Sequence, residues 1–189
     1  ASSIIKLVRA RHPLLMLLEK DNVIKEVVPL DLNLGGDNRV MVVTGPNAGG
    51  TTISIKTVGL LLSMALSGIP VPCDSSSTFP LVKEILVDIG DEQSIESSLS
   101  TFSAHISNVS EILERADSKT IVLMDELGTG TEPAQGAAMA CAVLNNLKER
   151  DALVFATTHL LDIAGFVHRS EGMVNASMEF DQETLSPLY

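Results

Sequence analysis

The residues best able to do chemistry fall at a few points along the chain. The first is Gly45-Pro46-Asn47-Ala48-Gly49-Gly50-Thr51-Thr52, set between the largely apolar run Arg39 to Thr44 and a helical pattern from Thr52 to Ser67. In a strand–loop–helix setting, glycines let backbone N–H groups converge on phosphate oxygens, and the start of the helix adds a favourable dipole. The hydroxyl of Thr52 is placed to ligate Mg²⁺. The loop matches G-x-x-x-x-G-K-[ST] at every position but one, because Thr51 stands where the pattern has Lys. That ammonium ordinarily reaches the β- and γ-phosphates and offsets transition-state charge, whereas Thr offers a neutral hydroxyl on a short stem. Lys56 is no replacement, lying about 7.5 Å further along the helix and roughly 140° around it.

The second point is Thr120-Ile121-Val122-Leu123-Met124-Asp125-Glu126, an apolar run ending in two acids. Beside a phosphate loop, Asp125 would support Mg²⁺ and Glu126 would polarise an attacking water as general base. Leu127-Gly128-Thr129-Gly130-Thr131-Glu132-Pro133 follows, with glycines that permit a tight path into the next helix. Ala156-Thr157-Thr158 ends at His159, a candidate γ-phosphate sensor by its place at a strand end. Asp88-Ile89-Gly90-Asp91-Glu92-Gln93 follows another short strand, and Gln93 is a candidate contact for the metal or the attacking water. Ser97 to Ser103 opens a helix whose hydroxyls read either as caps or as donors to the γ-phosphate of a nucleotide held by a second subunit.

These residues need elements to position them. Val23 to Leu34 is rich in β-branched residues and broken by Pro29, which predicts an edge strand or hairpin, and Gly35 to Asn38 reads as a turn. Arg39 to Thr44, Ile85 to Asp88, Thr120 to Asp125 and Ala152 to Thr157 read as strands, and Thr101 to Ala116 and Pro133 to Lys148 as helices. Gly172 to Phe180 and Thr184 to Tyr189 read as a terminal strand pair. Strands alternating with helices imply an α/β fold, a mostly parallel sheet covered by helices with an antiparallel edge portion, and the loop from Gly45 to Thr52 makes it of the P-loop NTPase kind.

Composition agrees. The 189 residues suit a single domain, 45% are hydrophobic and 3% aromatic, so Val, Ile, Leu, Met and Ala must build the core. The net charge of −11, with no basic run, argues against a duplex-DNA surface on this segment. Cys73 and Cys141 fit no metal or redox spacing and read as small buried hydrophobes. No apolar run is long enough to span a bilayer, so no membrane contact is expected. The start at Ala1-Ser2-Ser3 and the end at Ser186 to Tyr189 suggest a fragment of something larger, with residues 1–22 as an entry segment.

Taken in order, these stations resemble the ATPase domain of the MutS family within the ABC-type ATPases, over nearly the whole chain. GPNAGGTT is similar to that family's phosphate loop, SLSTFS to its divergent signature helix, MDELGTGTEP to its metal-and-base strand and dimer loop, and TTH to its switch histidine. DIGDEQSIESSLSTFSAH, Arg11 to Leu14, and Ser177 to Asp181 with Leu185 to Pro187 resemble the second-type bacterial branch, which also occurs in plastids and usually carries a small MutS-related nuclease domain. The resemblance implies ATP and Mg²⁺ as cofactors, a cytoplasmic or plastid location, and a homodimer through the ATP sites. Each nucleotide would lie between the phosphate loop of one subunit and Ser100 and Thr101 of the other, with adenine near Val27 and Val28. It further implies a DNA-processing role in which dimer closure clamps branched or duplex DNA, or a ribosome, through domains outside this segment.

Thr51 departs from the family's Lys and puts hydrolysis in question. An engineered inactivating change, a naturally degenerate ATPase and a variant that still binds ATP weakly all fit it. At the level of function, an active ATPase, a nucleotide-responsive dimerisation module with little turnover, and a scaffold without nucleotide stand side by side.

Overall fold

The computed structural model describes residues 4–45, 50–90, 98–177, 179–180 and 187–188, and for 98–104, 179–180 and 187–188 it describes the backbone alone. Its centre is a sheet of five parallel strands. Glu84–Asp88 (β4) lies at one edge, followed by Thr120–Met124 (β5), Leu153–Thr158 (β6), Val40–Thr44 (β3) and Met173–Ser177 (β7). Ile5–Ala10 (β1) and Leu30–Leu34 (β2) form a separate antiparallel pair, with Pro13–Lys20 (α1) between them in sequence.

The sheet is covered on both faces, which is why its central strands are apolar throughout rather than alternating. Val40, Val42, Val122, Met124, Val154 and Ala156 point to one face. There they meet Ser98–Arg115 (α3), Pro133–Glu149 (α4) and Leu161–His168 (α5), through residues such as Ile112, Leu144 and Ile163. Met41, Val43, Ile121, Leu123, Leu153 and Phe155 point to the other. They pack on Ile55, Val58, Leu61 and Leu62 of Thr51–Leu66 (α2) and on the inward residues of β1 and β2. All four expected core strands and the three expected helices are present, with ends shifted by a few residues.

Two expectations change. The stretch from 23 to 34 is no hairpin: only Leu30–Leu34 is strand, and its partner is β1, a segment without a clear period-2 signal. The antiparallel portion is the small sheet of β1 and β2. The terminal pair is also smaller than expected. Met173–Ser177 joins the core sheet parallel to β3, with Val40 opposite Met173 and Thr44 opposite Ser177. The antiparallel pair is Glu179–Phe180 (β8) with Pro187–Leu188 (β9). Alternation marks a strand, but it does not say which strand will be its neighbour.

Candidate active site

In a parallel sheet all strands end at the same edge, and here the candidate residues follow those ends. Thr44 is opposite Thr158, so Gly45 and His159 leave adjacent strands at one level. Ala156 is opposite Met124, and Met124 is opposite Asp88, so Asp125 follows on the next strand. After β3 the chain turns to α2 on one face, whereas after β4, β5 and β6 it turns to helices on the other. Diverging connections open a crevice at the carboxyl edge, the usual ligand position in such sheets.

On the phosphate-loop side, Gly50 has φ of +78° and caps α2, a left-handed conformation that suits glycine. Thr51 is the first helical residue and is 4% exposed, and Thr52 is half-buried. Ser54 donates its backbone N–H to Gly50 O at 2.9 Å and its hydroxyl to Thr51 O at 2.6 Å, which tightens the first turn. Gly45 follows the strand, while Pro46, Asn47, Ala48 and Gly49 lie outside the described residues. Lys56 is exposed, and its charge acts on His12, whose pKa is lowered by burial first and by Lys56 second. Beside this helix start is a cavity of about 250 Å³ lined by His12, Val27, Val28, Ile53, Ser54 and Thr57, among others. Val28, the expected adenine neighbour, therefore lies in a largely apolar hollow next to the first turn of α2.

On the carboxylate side, Asp125 is 6% exposed, and its backbone N–H donates to Asp88 O at 2.8 Å. Glu126 follows with φ of +52°, a conformation that costs a non-glycine residue roughly 1–3 kcal/mol and persists where the surroundings impose it. Thr157 of β6 imposes it here. Its hydroxyl donates to Asp125 Oδ1 at 2.5 Å and accepts the N–H of Glu126 at 2.9 Å, and its carbonyl accepts the N–H of Leu127 at 2.8 Å. Leu127 is then buried, and the loop reaches α4, where Glu132 accepts the N–H of Gln135 at 3.0 Å as an N-cap.

His159 is exposed at the end of β6, between the strand of the phosphate loop and the strand of the carboxylates. The backbone of Ser100 and Thr101 lies in the first turn of α3. Gln93 and the side chains of Ser100 and Thr101 fall outside what is described. Two groups of residues had no role in the sequence reading. One is Thr157. The other is the set in which His105 Nδ1 meets Asp88 Oδ2 at 2.8 Å and Asn108 donates to Asp88 Oδ1 at 2.8 Å, fastening α3 to β4. Asp88 and His105 were visible as motif members, but the pairing needs the fold.

As donors, the Asp125 carboxylate and the Thr52 hydroxyl are hard oxygens of the kind Mg²⁺ takes beside phosphates. Among the described residues no three His, Cys, Asp or Glu side chains gather to hold an ion, so the candidate position rests on one carboxylate and one hydroxyl.

A parallel sheet with a glycine-rich loop after one strand and paired acids after another is the architecture of a P-loop ATPase-type domain. Residues 41–188 match the family described as MutS domain V, and the chain belongs to that family. Over 188 residues it is 48% identical to a protein called Endonuclease MutS2 from Thermotoga petrophila, covering 100% of this chain and 24% of that one. It is 48% identical to a protein of the same name from Clostridium kluyveri, covering 98% of this chain and 23% of that one. For another from Halalkalibacterium halodurans the identity is 49%, covering 96% and 22%. The chain thus spans about a quarter of the length of the curated relatives it matches, and it is the ATPase domain of a MutS-type protein.

Proposed function

We propose that this domain binds ATP and hydrolyses it, and that the cycle of binding and hydrolysis closes and opens a homodimer. The observation that carries the reading is the shared carboxyl edge of β3, β6 and β5, where Gly45 and His159 leave at one level and Asp125 leaves the next strand at the level of Thr157. Asp125 and Thr52 would hold Mg²⁺, which supplies charge neutralisation on the phosphates when bound. Glu126 takes the proton of the attacking water, and Gln93 helps to orient that water. His159 reads the γ-phosphate from between the two halves of the site. The loop from Gly45 to Thr52 cradles the phosphates, and adenine occupies the hollow at Val28. The whole domain, residues 1–189, acts as one unit, with 1–22 leading in from an arm. In the longer protein the cycle drives clamping of branched or duplex DNA, or of a ribosome, in a bacterial cytoplasm or a plastid.

Phosphate release by the dimeric protein tests the reading. Glu126→Gln should lower turnover by at least roughly a hundredfold, the usual scale for a general base. Equal rates would remove Glu126 from the role.

Thr51 favours a second reading, a nucleotide-binding dimerisation module with little hydrolysis. On that reading Thr51→Lys should raise turnover at least about tenfold, equivalent to about 1.4 kcal/mol of barrier. No gain would mean that Thr51 does not limit the rate.

A further inference from the structure

We propose that Thr157 is a positioning residue that sets the metal-side carboxylate and the backbone of the general base together. The proposal rests on the nucleotide-site reading above. Thr157 sits one residue before the end of β6 and is 2% exposed. Its hydroxyl has one proton and two lone pairs, and a backbone N–H can only donate. The sense of both bonds is therefore fixed: the hydroxyl accepts from Glu126 N–H and gives its proton to Asp125 Oδ1. One oxygen of Asp125 is thereby engaged by β6, which fixes the rotation of the carboxylate. The same hydroxyl accepts the N–H of Glu126 in its left-handed conformation, and that conformation decides where the Glu126 side chain leaves the chain.

The neighbour shows the contrast. Thr158 donates its hydroxyl to Leu127 O at 2.8 Å and accepts the N–H of Leu160 at 3.2 Å, bonds to backbone alone. Thr157 reaches a side-chain carboxylate, and it belongs to the strand that ends at His159. A shift of β6 when His159 engages a phosphate would therefore reach the Asp125 carboxylate and the Glu126 N–H through this hydroxyl. Groups that orient a metal ligand in this way typically change metal affinity by about 10- to 100-fold when removed.

The test compares Thr157→Val, which keeps the shape and loses the hydroxyl, with Thr157→Ser, which keeps the hydroxyl. In the full-length dimeric protein, binding of a fluorescent ATP analogue is followed while Mg²⁺ is titrated, and again in EDTA. Thr157→Val should raise the Mg²⁺ needed for half-saturation by about tenfold or more and lower kcat more than it changes KM. Its affinity in EDTA should match the parent's, and Thr157→Ser should restore the Mg²⁺ response. If Thr157→Val does not fold, Thr157→Cys, similar in volume and a weak donor, takes its place. A Val variant with the parent's Mg²⁺ response overturns the assignment, as does a folded Ser variant as impaired as Val. If the parent itself shows no Mg²⁺-dependent binding, the nucleotide-site reading fails and the assignment falls with it.

Discussion

Thr51 and Lys56 are five residues apart on α2, yet they belong to different surroundings. Thr51 is buried in the first turn, while Lys56 is exposed and acts electrostatically on His12. Helical geometry alone separated them, and this part of the site was legible from spacing. The Asp88–His105 pair was not, because the partners are brought together by the packing of α3 on β4. Its consequence is a pH-dependent stability. The hydrogen bond to Asp88 raises the His105 pKa, burial opposes this, and the Asp88 charge adds to the rise. A folded-state value above the unfolded 6.5 means that the native state holds the proton more tightly. The contribution is therefore complete below that value and disappears as pH rises through the folded one. His105→Gln keeps a donor but cannot take the charge. It should cost about 1 kcal/mol near pH 5.5, discounted for partial exposure, and less near pH 8.5. Thermal midpoints of parent and variant should therefore converge as pH rises; a constant gap would show that the charged pair contributes nothing. Thr157 was hidden for the same reason as the pair, since the partners of its hydroxyl lie more than thirty positions away.

At the scale of elements, the helices are seated by small residues. A Cβ on Gly136 of α4 would come within 1.9 Å of the carbonyl oxygen of Gly128, a backbone atom with nowhere to go. The loop that follows Glu126 thus lies directly on the helix. A Cβ on Gly59 of α2 would come within 2.8 Å of Leu123 Cδ1, the far end of a side chain that can rotate. The two glycines predict different outcomes. Gly136→Ala should destabilise by about 3 kcal/mol, because overpacking against backbone must displace the loop or the helix. Gly59→Ala gains up to about 1 kcal/mol of helix propensity against a small repacking cost, so its net effect should stay within about 1 kcal/mol. Denaturant melts of both variants check this, and equal losses would contradict the distinction between backbone and side-chain contacts. The sequence displayed the elements unevenly. Thr120–Met124 is apolar at four of its five positions and buried on both faces, which is why it was legible. Leu161–His168 has eight residues, an internal Gly165 and an exposed Leu161, too short and mixed for a period to emerge. β1 carries Lys6 and Arg9, and Arg9 sits at an irregularity with φ of +50°, which interrupts the alternation.

The whole domain carries 13 Lys and Arg against 24 Asp and Glu. Counterion release needs clustered cations, so the isolated domain should show no DNA binding at about 0.15 M salt. Anisotropy with duplex and four-way-junction probes would detect an exception. The proposed dimer makes a stronger demand. If Ser100 and Thr101 complete the partner's site, each site takes Glu126 from one subunit and the start of α3 from the other. Two inactive proteins should then repair one another. A Glu126→Gln subunit still lends its Ser100 and Thr101, and a subunit with Ser100→Ala and Thr101→Ala still lends its Glu126. Their heterodimer has one intact site and one doubly broken site. With random pairing half the dimers are mixed and each has half its sites, so co-expression should restore about a quarter of parental turnover, as closed two-fold assembly requires. The Thr51→Lys background provides the necessary signal if parental turnover is small. Self-contained sites would show no restoration at any mixing ratio. Such a result would remove Ser100 and Thr101 from the partner's site while leaving Asp125, Glu126 and Thr157 where the sheet puts them.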